Sequence, residues 1–180
     1  MTPRELEEYR ALRATIRERG TSRVWVFMAG LSAWAGFTIA TMALADIPVA
    51  ALLPLLVLAG AFEAVLALHT GVERIGRYIQ VFFEDEANDP GWEQRIMKFG
   101  GMGRLASSSD PLFTIYFLSA ALFNFVPVLL AGAVPVEYGV VGALHVLFIA
   151  RLVVARVASG RQRAIDLDRF QRISSSSRSG

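Results

Sequence analysis

The chain has 180 residues, 54% of them hydrophobic, and its mean hydropathy is +0.45. This apolar share is high for a soluble domain and favours a membrane protein. There is no cysteine, which excludes disulfides and thiolate chemistry, and the formal net charge of +2 comes without a basic run interleaved with aromatic residues, so nucleic-acid binding is not predicted.

The first predicted element is a cytoplasmic helix within residues 1–23. Thr2 and Glu5 form a capping box, Pro3 takes the first helical position, and Gly20 is predicted to end the helix. Apolar residues recur at helical spacing, which favours packing on a partner over a charged leader that only fixes orientation; they are Leu6, Tyr9, Leu12 and Ile16.

Four apolar blocks dominate the rest of the chain, at about residues 24–45, 48–70, 112–134 and 136–157. Each has about 20 residues, which at 1.5 Å per residue spans a hydrocarbon core of about 30 Å. The sequence therefore predicts an all-α polytopic membrane protein, whose transmembrane domain of residues 24–157 has four transmembrane helices in two hairpins.

The first block ends in ALAD, residues 43–46, which is similar to a signal-peptidase site. A leader of 23 charged and polar residues is long for a signal peptide, and the apolar run exceeds the usual stretch of roughly 7 to 15 residues. We therefore interpret this block as a membrane span. Its small residues Ser32, Gly36 and Ala40 favour close approach of another helix.

Basic residues predict the orientation. Six lie before the first block, five between the second and third, and seven from Arg151 onward, whereas the connections ADIP and VPVE have none. By the positive-inside rule, both termini and the insert 71–111 are cytoplasmic, and the turns around Asp46 and Pro135 face outward. Because seventeen arginines stand against one lysine, which is typical of GC-rich bacterial genomes, the expected location is the bacterial inner membrane.

The second block is predicted to continue as a helix to about Phe83, beyond the membrane. A rotation of 100° per residue places its polar groups within an arc of about 140°. The arc contains Glu63 and His69 and a cytoplasmic charge arc of Glu73, Arg74 and Arg77. The opposite, apolar side requires a partner, for which the N-terminal helix and a predicted cytoplasmic helix at 158–173 are candidates.

Three shorter segments complete the prediction. WEQRIMKF, from Trp92, has an apolar and a charged face, which suits a helix lying flat on the membrane. Asp110 is predicted to cap the third span, with Pro111 at its first position. The serine-rich tail 174–180 has no periodicity and is predicted to be disordered.

Two motifs resemble those of uncharacterised bacterial four-span integral membrane proteins. Tyr9, Leu12, Arg13, Ile16 and Arg19 match a YxxLRxxIxxR helix, and residues 74–93 match RIGxYIxxFxE followed by GWE. The rest of the chain resembles that group by hydropathy alone. The resemblance implies a shared architecture and carries no activity.

Several polar residues fall within the predicted membrane. Counted from the outer turns, Asn124 and His145 lie about 15 Å deep, near the midplane, with Trp34 at similar depth. Asn124 and His145 are predicted to hydrogen-bond each other, which in lipid is worth about 0.6 to 2 kcal/mol.

Glu63 is the most costly of these groups, because a carboxylate in the membrane must be protonated, paired or hydrated. Three interpretations are open: a hydrogen bond to Trp34, Asn124 or His145 that fixes packing, a wetted ion or proton path, and lateral pairing in an oligomer. Zinc or iron ligation by Glu63, His69, Glu73 and His145 is not favoured, since Glu63 and His69 lie about 120° apart around their helix. No metal or other cofactor is predicted.

The sequence contains no catalytic motif, so the hypothesis is a non-enzymatic, membrane-anchored interaction or structural module. Its expected partners are the lipid bilayer, a second copy of the chain and an unidentified cytoplasmic protein. The alternative is a small oligomeric channel or transporter that uses Glu63, Asn124 and His145 as a polar path.

Overall fold

The structure is a computed structural model that describes residues 1–42, 47–84, 91–101 and 110–178, with side chains described outside 97–101 and 177–178. It confirms the predicted all-α fold in these ranges. The helices are α1 (Pro3–Met42), a short 3-10 helix (Pro48–Ala51), α2 (Leu52–Phe82), α3 (Trp92–Gly101), α4 (Thr114–Leu130) and α5 (Pro135–Arg178).

Three helical stretches are long and apolar enough to cross a membrane, namely Pro3–Met42, Pro48–Phe82 and Pro135–Ser176. The fourth apolar helix, α4, has 17 residues and is shorter than these. The helix in the predicted third block, 112–134, is therefore shorter than the block, with Phe113 and Ala131 as its cap residues.

Two predicted boundaries inside long helices are wrong. Gly20 does not end the N-terminal helix, which continues through it as α1, and the segment 158–173 is the continuation of α5. One glycine costs a helix only about 1 kcal/mol, which good helix formers on both sides offset. The prediction that α2 continues to about Phe83 agrees with its end at Phe82.

The prediction for the N-terminus is confirmed, and that for the C-terminus is wrong. The capping box is confirmed, since Thr2 N donates to Glu5 Oε2 at 2.7 Å and Glu5 N to Thr2 Oγ1 at 3.3 Å. The tail predicted to be disordered is helical as far as Arg178. There Ser175 and Ser176 donate their hydroxyls to carbonyls three residues earlier, at 2.9 and 2.8 Å.

Asp110 does not cap α4 as predicted. The N-cap is Phe113, in the left-handed conformation with φ 52°, and no side chain caps this end. The ALAD run at 43–46 and residues 85–90 and 102–109 lie outside the described residues.

The chain divides into two compact units. The polar unit comprises residues 1–22, 68–110 and 158–180, and the apolar unit comprises 23–67 and 111–157. The apolar unit has a core to which α1, α2, α4 and α5 contribute, and its aromatic centre consists of Phe27, Phe62, Phe117 and Phe148. Phe62 contacts Phe117 and Phe148 edge to face, with ring centroids 5.4 and 6.3 Å apart.

Within the apolar unit, α1 and α2 approach each other closely at Gly30. A Cβ atom added there would overlap the Cβ of Ala61, so only glycine fits this contact. The predicted small-residue stripe around Gly36 does not make it, since a Cβ on Gly36 would meet nothing within 4 Å. A close contact at a small residue of α1 therefore exists, about 1.7 helical turns before Gly36.

The polar unit is built on α2, whose apolar face is covered as predicted by both chain ends. Tyr9 of α1 contacts Phe83, with ring centroids 5.7 Å apart, and Phe170 of α5 contacts Tyr78 at 5.6 Å. The Tyr78 hydroxyl donates to Glu8 Oε1 at 2.9 Å, and burial together with this hydrogen bond raises the pKa of Tyr78. The tyrosine therefore remains a protonated donor at neutral pH.

Candidate functional site

The polar unit contains a charge cluster of Arg13, Arg77, Glu84 and Glu93. Arg13 Nη1 donates to Glu93 Oε1 at 2.7 Å, and Arg77 Nη2 lies 3.7 Å from Glu93 Oε2. Arg13 Nη2 is also 4.0 Å from Glu84 Oε1. Glu93 thus joins α1 and α2 to α3, and its contact with Arg13 spans 80 residues of sequence.

Glu84 fixes the start of α3. Its carboxylate accepts from the backbone N–H groups of Glu93 and Gln94, both at 2.9 Å, and these groups have no acceptor within their own helix. A negative charge at a helix N-terminus is also favoured by the helix dipole. The carboxylate can approach because residue 91 is glycine; a Cβ atom there would overlap it.

Arg13 remains charged in this setting. Burial alone would lower its pKa, but contacts with the Tyr9 hydroxyl and the Glu93 carboxylate outweigh it and raise the pKa. Arg13 Nε donates to Tyr9 Oη at 3.0 Å. Glu93 is admitted beside α2 by Gly76, whose added Cβ would lie 3.0 Å from Glu93 Oε2.

The cluster determines which side of α3 is buried. Glu93, expected on the outer charged face, is buried together with Gln94, while Trp92 and Ile96 are exposed. The helix therefore packs on the rest of the polar unit through its polar side, because Arg13 and Arg77 lie there and bind Glu93. The sequence signal was available: Tyr9, Arg13, Gly76, Glu84, Gly91 and Glu93 all belong to the two motifs described above.

The predicted charge arc reaches three different partners. Glu73 binds Arg163 of α5, with contacts of 2.8 and 3.0 Å, and Arg74 Nε lies 3.6 Å from Asp166 Oδ2. Arg77 instead joins the charge cluster and also donates to Gln80 at 2.7 Å. The arc therefore holds the polar unit together.

His69 is buried, and it lines a small cavity with Glu73, Arg77, Ser159 and Asp166. The cavity measures about 10 Å³, which is roughly the room of one water molecule, and its walls supply the polar groups that such a water needs. In the described ranges, no three histidine or acidic side chains gather as metal ligands.

In the apolar unit, the predicted pair of Asn124 and His145 is confirmed. Asn124 Nδ2 lies 3.1 Å from His145 Nε2 and donates to the Ala51 carbonyl at 2.8 Å. His145 Nδ1 is 2.8 Å from the Val141 carbonyl, which can only accept a hydrogen. His145 is therefore the Nδ1–H tautomer, and its Nε2 accepts the second amide hydrogen of Asn124.

Replacing Asn124 by leucine should destabilise the apolar unit by about 0.6 to 2 kcal/mol, because His145 Nε2 and the Ala51 carbonyl both lose their donor. Thermal unfolding of the full chain in detergent measures this loss. Phe123→Leu, at the exposed neighbouring position, is the matched control and should leave the midpoint unchanged. Equal midpoints for the two variants would contradict a structural role for the pair.

Glu63 does not bind the residues predicted for it. Its carboxylate pairs with Arg151 of α5, at 2.8 Å to Nε and 2.9 Å to Nη2, and both side chains are about half exposed. Glu63 therefore does contact a neighbouring helix, but through Arg151 and not through Trp34, Asn124 or His145. The indole N–H of Trp34, one predicted partner, is buried and has no acceptor among the described residues.

The three residues of the predicted polar path do not all meet in the structure. In the part of the chain that the structure describes, Glu63 binds Arg151, whereas Asn124 and His145 bind each other and nearby backbone carbonyls.

Comparison of the chain with protein-family models, with curated proteins and with solved structures gave no match.

Proposed function

We propose that the chain is a bacterial inner-membrane protein with four spans in two hairpins and both termini in the cytoplasm. In this proposal the apolar unit is the membrane anchor, and the polar unit is a cytoplasmic module that binds another protein. The protein self-associates, and its role is structural rather than enzymatic.

The observation that carries the proposal is the apolar surface of the apolar unit, which encloses two buried polar side chains. Its buried residues include Asn124 and His145, which are 1% and 4% exposed, while large apolar side chains lie on its surface. Leu130 and Val136, for example, are 81% and 74% exposed. An apolar surface of this extent is favourable in lipid and unfavourable in water.

Two further features support four spans and the orientation. The 17 residues of α4 extend about 25 Å, which is at the short end of spanning lengths. Within the apolar unit the charged residues lie mostly toward the ends of its segments, and they are Arg23, Asp46, Glu63, Glu137, Arg151 and Arg156. The distribution of arginine described above supports a cytoplasmic polar unit.

The assignment of an interaction role is supported by the charge cluster and by the surface of α3. Glu93 binds both Arg13 and Arg77, and His69 is buried in the same unit. These groups stabilise the polar unit. Trp92 and Ile96, in contrast, are exposed, which leaves an apolar side of α3 for the membrane surface or for a protein.

Topology reporters in cells test the anchor and its orientation. After Gly180, a reporter that works only in the cytoplasm should be active, and one that works only in the periplasm should be inactive. In a chain truncated after Val134 the result should be the reverse. Crosslinking in native membranes should yield dimers or larger species. A periplasmic signal at Gly180, or a purified chain that stays dissolved without detergent, would contradict the proposal.

A further inference from the structure

A groove of about 440 Å³ lies on the surface of the apolar unit, between α2 and α5. Leucines line it on both sides, including Leu52 and Leu56 of α2 and Leu144 and Leu147 of α5. The ion pair of Glu63 and Arg151 forms part of its wall. Along α2 the groove extends from residue 52 to residue 63, which is about 16 Å.

The ion pair marks the polar end of this groove. Phe62, which precedes Glu63, contacts Phe117, and Phe117 lies three residues, or about 4.5 Å, after the first residue of α4. Glu63 and Arg151 therefore lie about one helical turn from the end of an apolar helix. The leucines at 52 and 56 extend from there toward the other end of that helix.

Arg151 retains hydrogen-bonding capacity in this pair. A guanidinium has five N–H donors, and Glu63 takes one from Nε and one from Nη2, so three remain on an edge that is partly exposed. Two such donors match two oxygens of a phosphate group. Each Glu63 oxygen binds one donor and has a second lone pair for a further donor.

We propose that the groove binds a phospholipid with an ethanolamine headgroup. An acyl chain lies along the leucines, the phosphate binds Arg151, and the ammonium group binds Glu63. The pair has no net charge, which suits a zwitterionic headgroup; a glycerol headgroup would add an uncompensated negative charge, and choline has no N–H to donate. This inference rests on the proposed membrane anchor.

Native mass spectrometry of the full chain tests the proposal, after reconstitution in nanodiscs with equal parts of ethanolamine, choline and glycerol phospholipids and release into mild detergent. The wild type should retain ethanolamine phospholipid about tenfold over choline phospholipid, since one charge-assisted hydrogen bond differs. Arg151→Gln should lose this adduct. Glu63→Gln should shift the preference to glycerol phospholipid, because Arg151 is then uncompensated.

Arg156→Gln, on the same helix but outside the groove, is the matched control and should retain the wild-type preference. Arg151→Lys tests folding, because it keeps the positive charge and should recover part of the ethanolamine adduct. Equal retention of the three lipids by the wild type would overturn the proposal. A lipid-free dimer that dissociates when Ala59→Phe is introduced would also overturn it, because a second copy of the chain would then occupy the groove.

The two proposals fail in different ways. A chain that stays dissolved without detergent contradicts the membrane anchor. A chain that requires detergent but shows no lipid preference contradicts only the lipid site.

Discussion

Replacing Glu93 by alanine should destabilise the polar unit by about 3 to 5 kcal/mol, because the change leaves a buried arginine without its carboxylate. The side chains of Glu93 and Arg77 are 10% and 4% exposed, and among the described residues Arg77 would retain a hydrogen bond to Gln80 only. Arg13 is more exposed and can regain water. Hydrogen exchange of the full chain in detergent should show faster exchange in residues 3–22 and 68–82.

The matched control is Arg172→Ala, which removes an ion pair with Asp168 whose side chains are 79% and 57% exposed. Exposed pairs of this kind contribute at most about 1 kcal/mol, so exchange in the polar unit should hardly change. A double variant, Arg77→Met with Glu93→Leu, should recover much of the stability lost in Glu93→Ala, because no buried charge is left alone. If Glu93→Ala behaved as Arg172→Ala does, the cluster would not stabilise the unit.

The features predicted correctly depend on distances along one helix. The depth of Asn124 and His145 follows from a fixed rise per residue, and their hydrogen bond was confirmed. The apolar side of α2 follows from a rotation of 100° per residue, and the two chain ends do cover it. Composition alone was enough to predict helices for the apolar blocks.

The features that were missed depend on the register between helices. Glu63 pairs with a residue 88 positions away, and Arg13 with one 80 positions away. Helical periodicity places a side chain on one side of its own helix but does not say which neighbour packs there. The burial of Glu93 was missed for the same reason, since an acidic residue on an amphipathic helix is expected to face water.

Local signals also failed where tertiary contacts outweigh them. Gly20 and the serines near the C-terminus have low helix propensity, yet α1 and α5 continue through them. Propensities differ by at most about 1 kcal/mol for residues other than proline, so a long helix held at several points can absorb them.

Replacing Gly30 by leucine should destabilise the apolar unit by about 1 to 3 kcal/mol relative to Gly36→Leu. A side chain at position 30 overlaps Ala61, whereas a Cβ at position 36 meets nothing within 4 Å. Both changes lie on α1 and replace the same residue type, so their gain in helix propensity cancels in the comparison. Thermal unfolding in detergent measures the difference.

A reciprocal exchange tests the contact itself. Gly30→Ala alone should lower the unfolding midpoint, because two Cβ atoms cannot occupy the space between α1 and α2. Combining it with Ala61→Gly leaves one Cβ in that space, as in the wild type, and should restore most of the lost stability despite the glycine now in α2. Failure of the exchange to restore stability, or equal midpoints for the leucine variants at 30 and 36, would contradict close packing of α1 on α2 at this position.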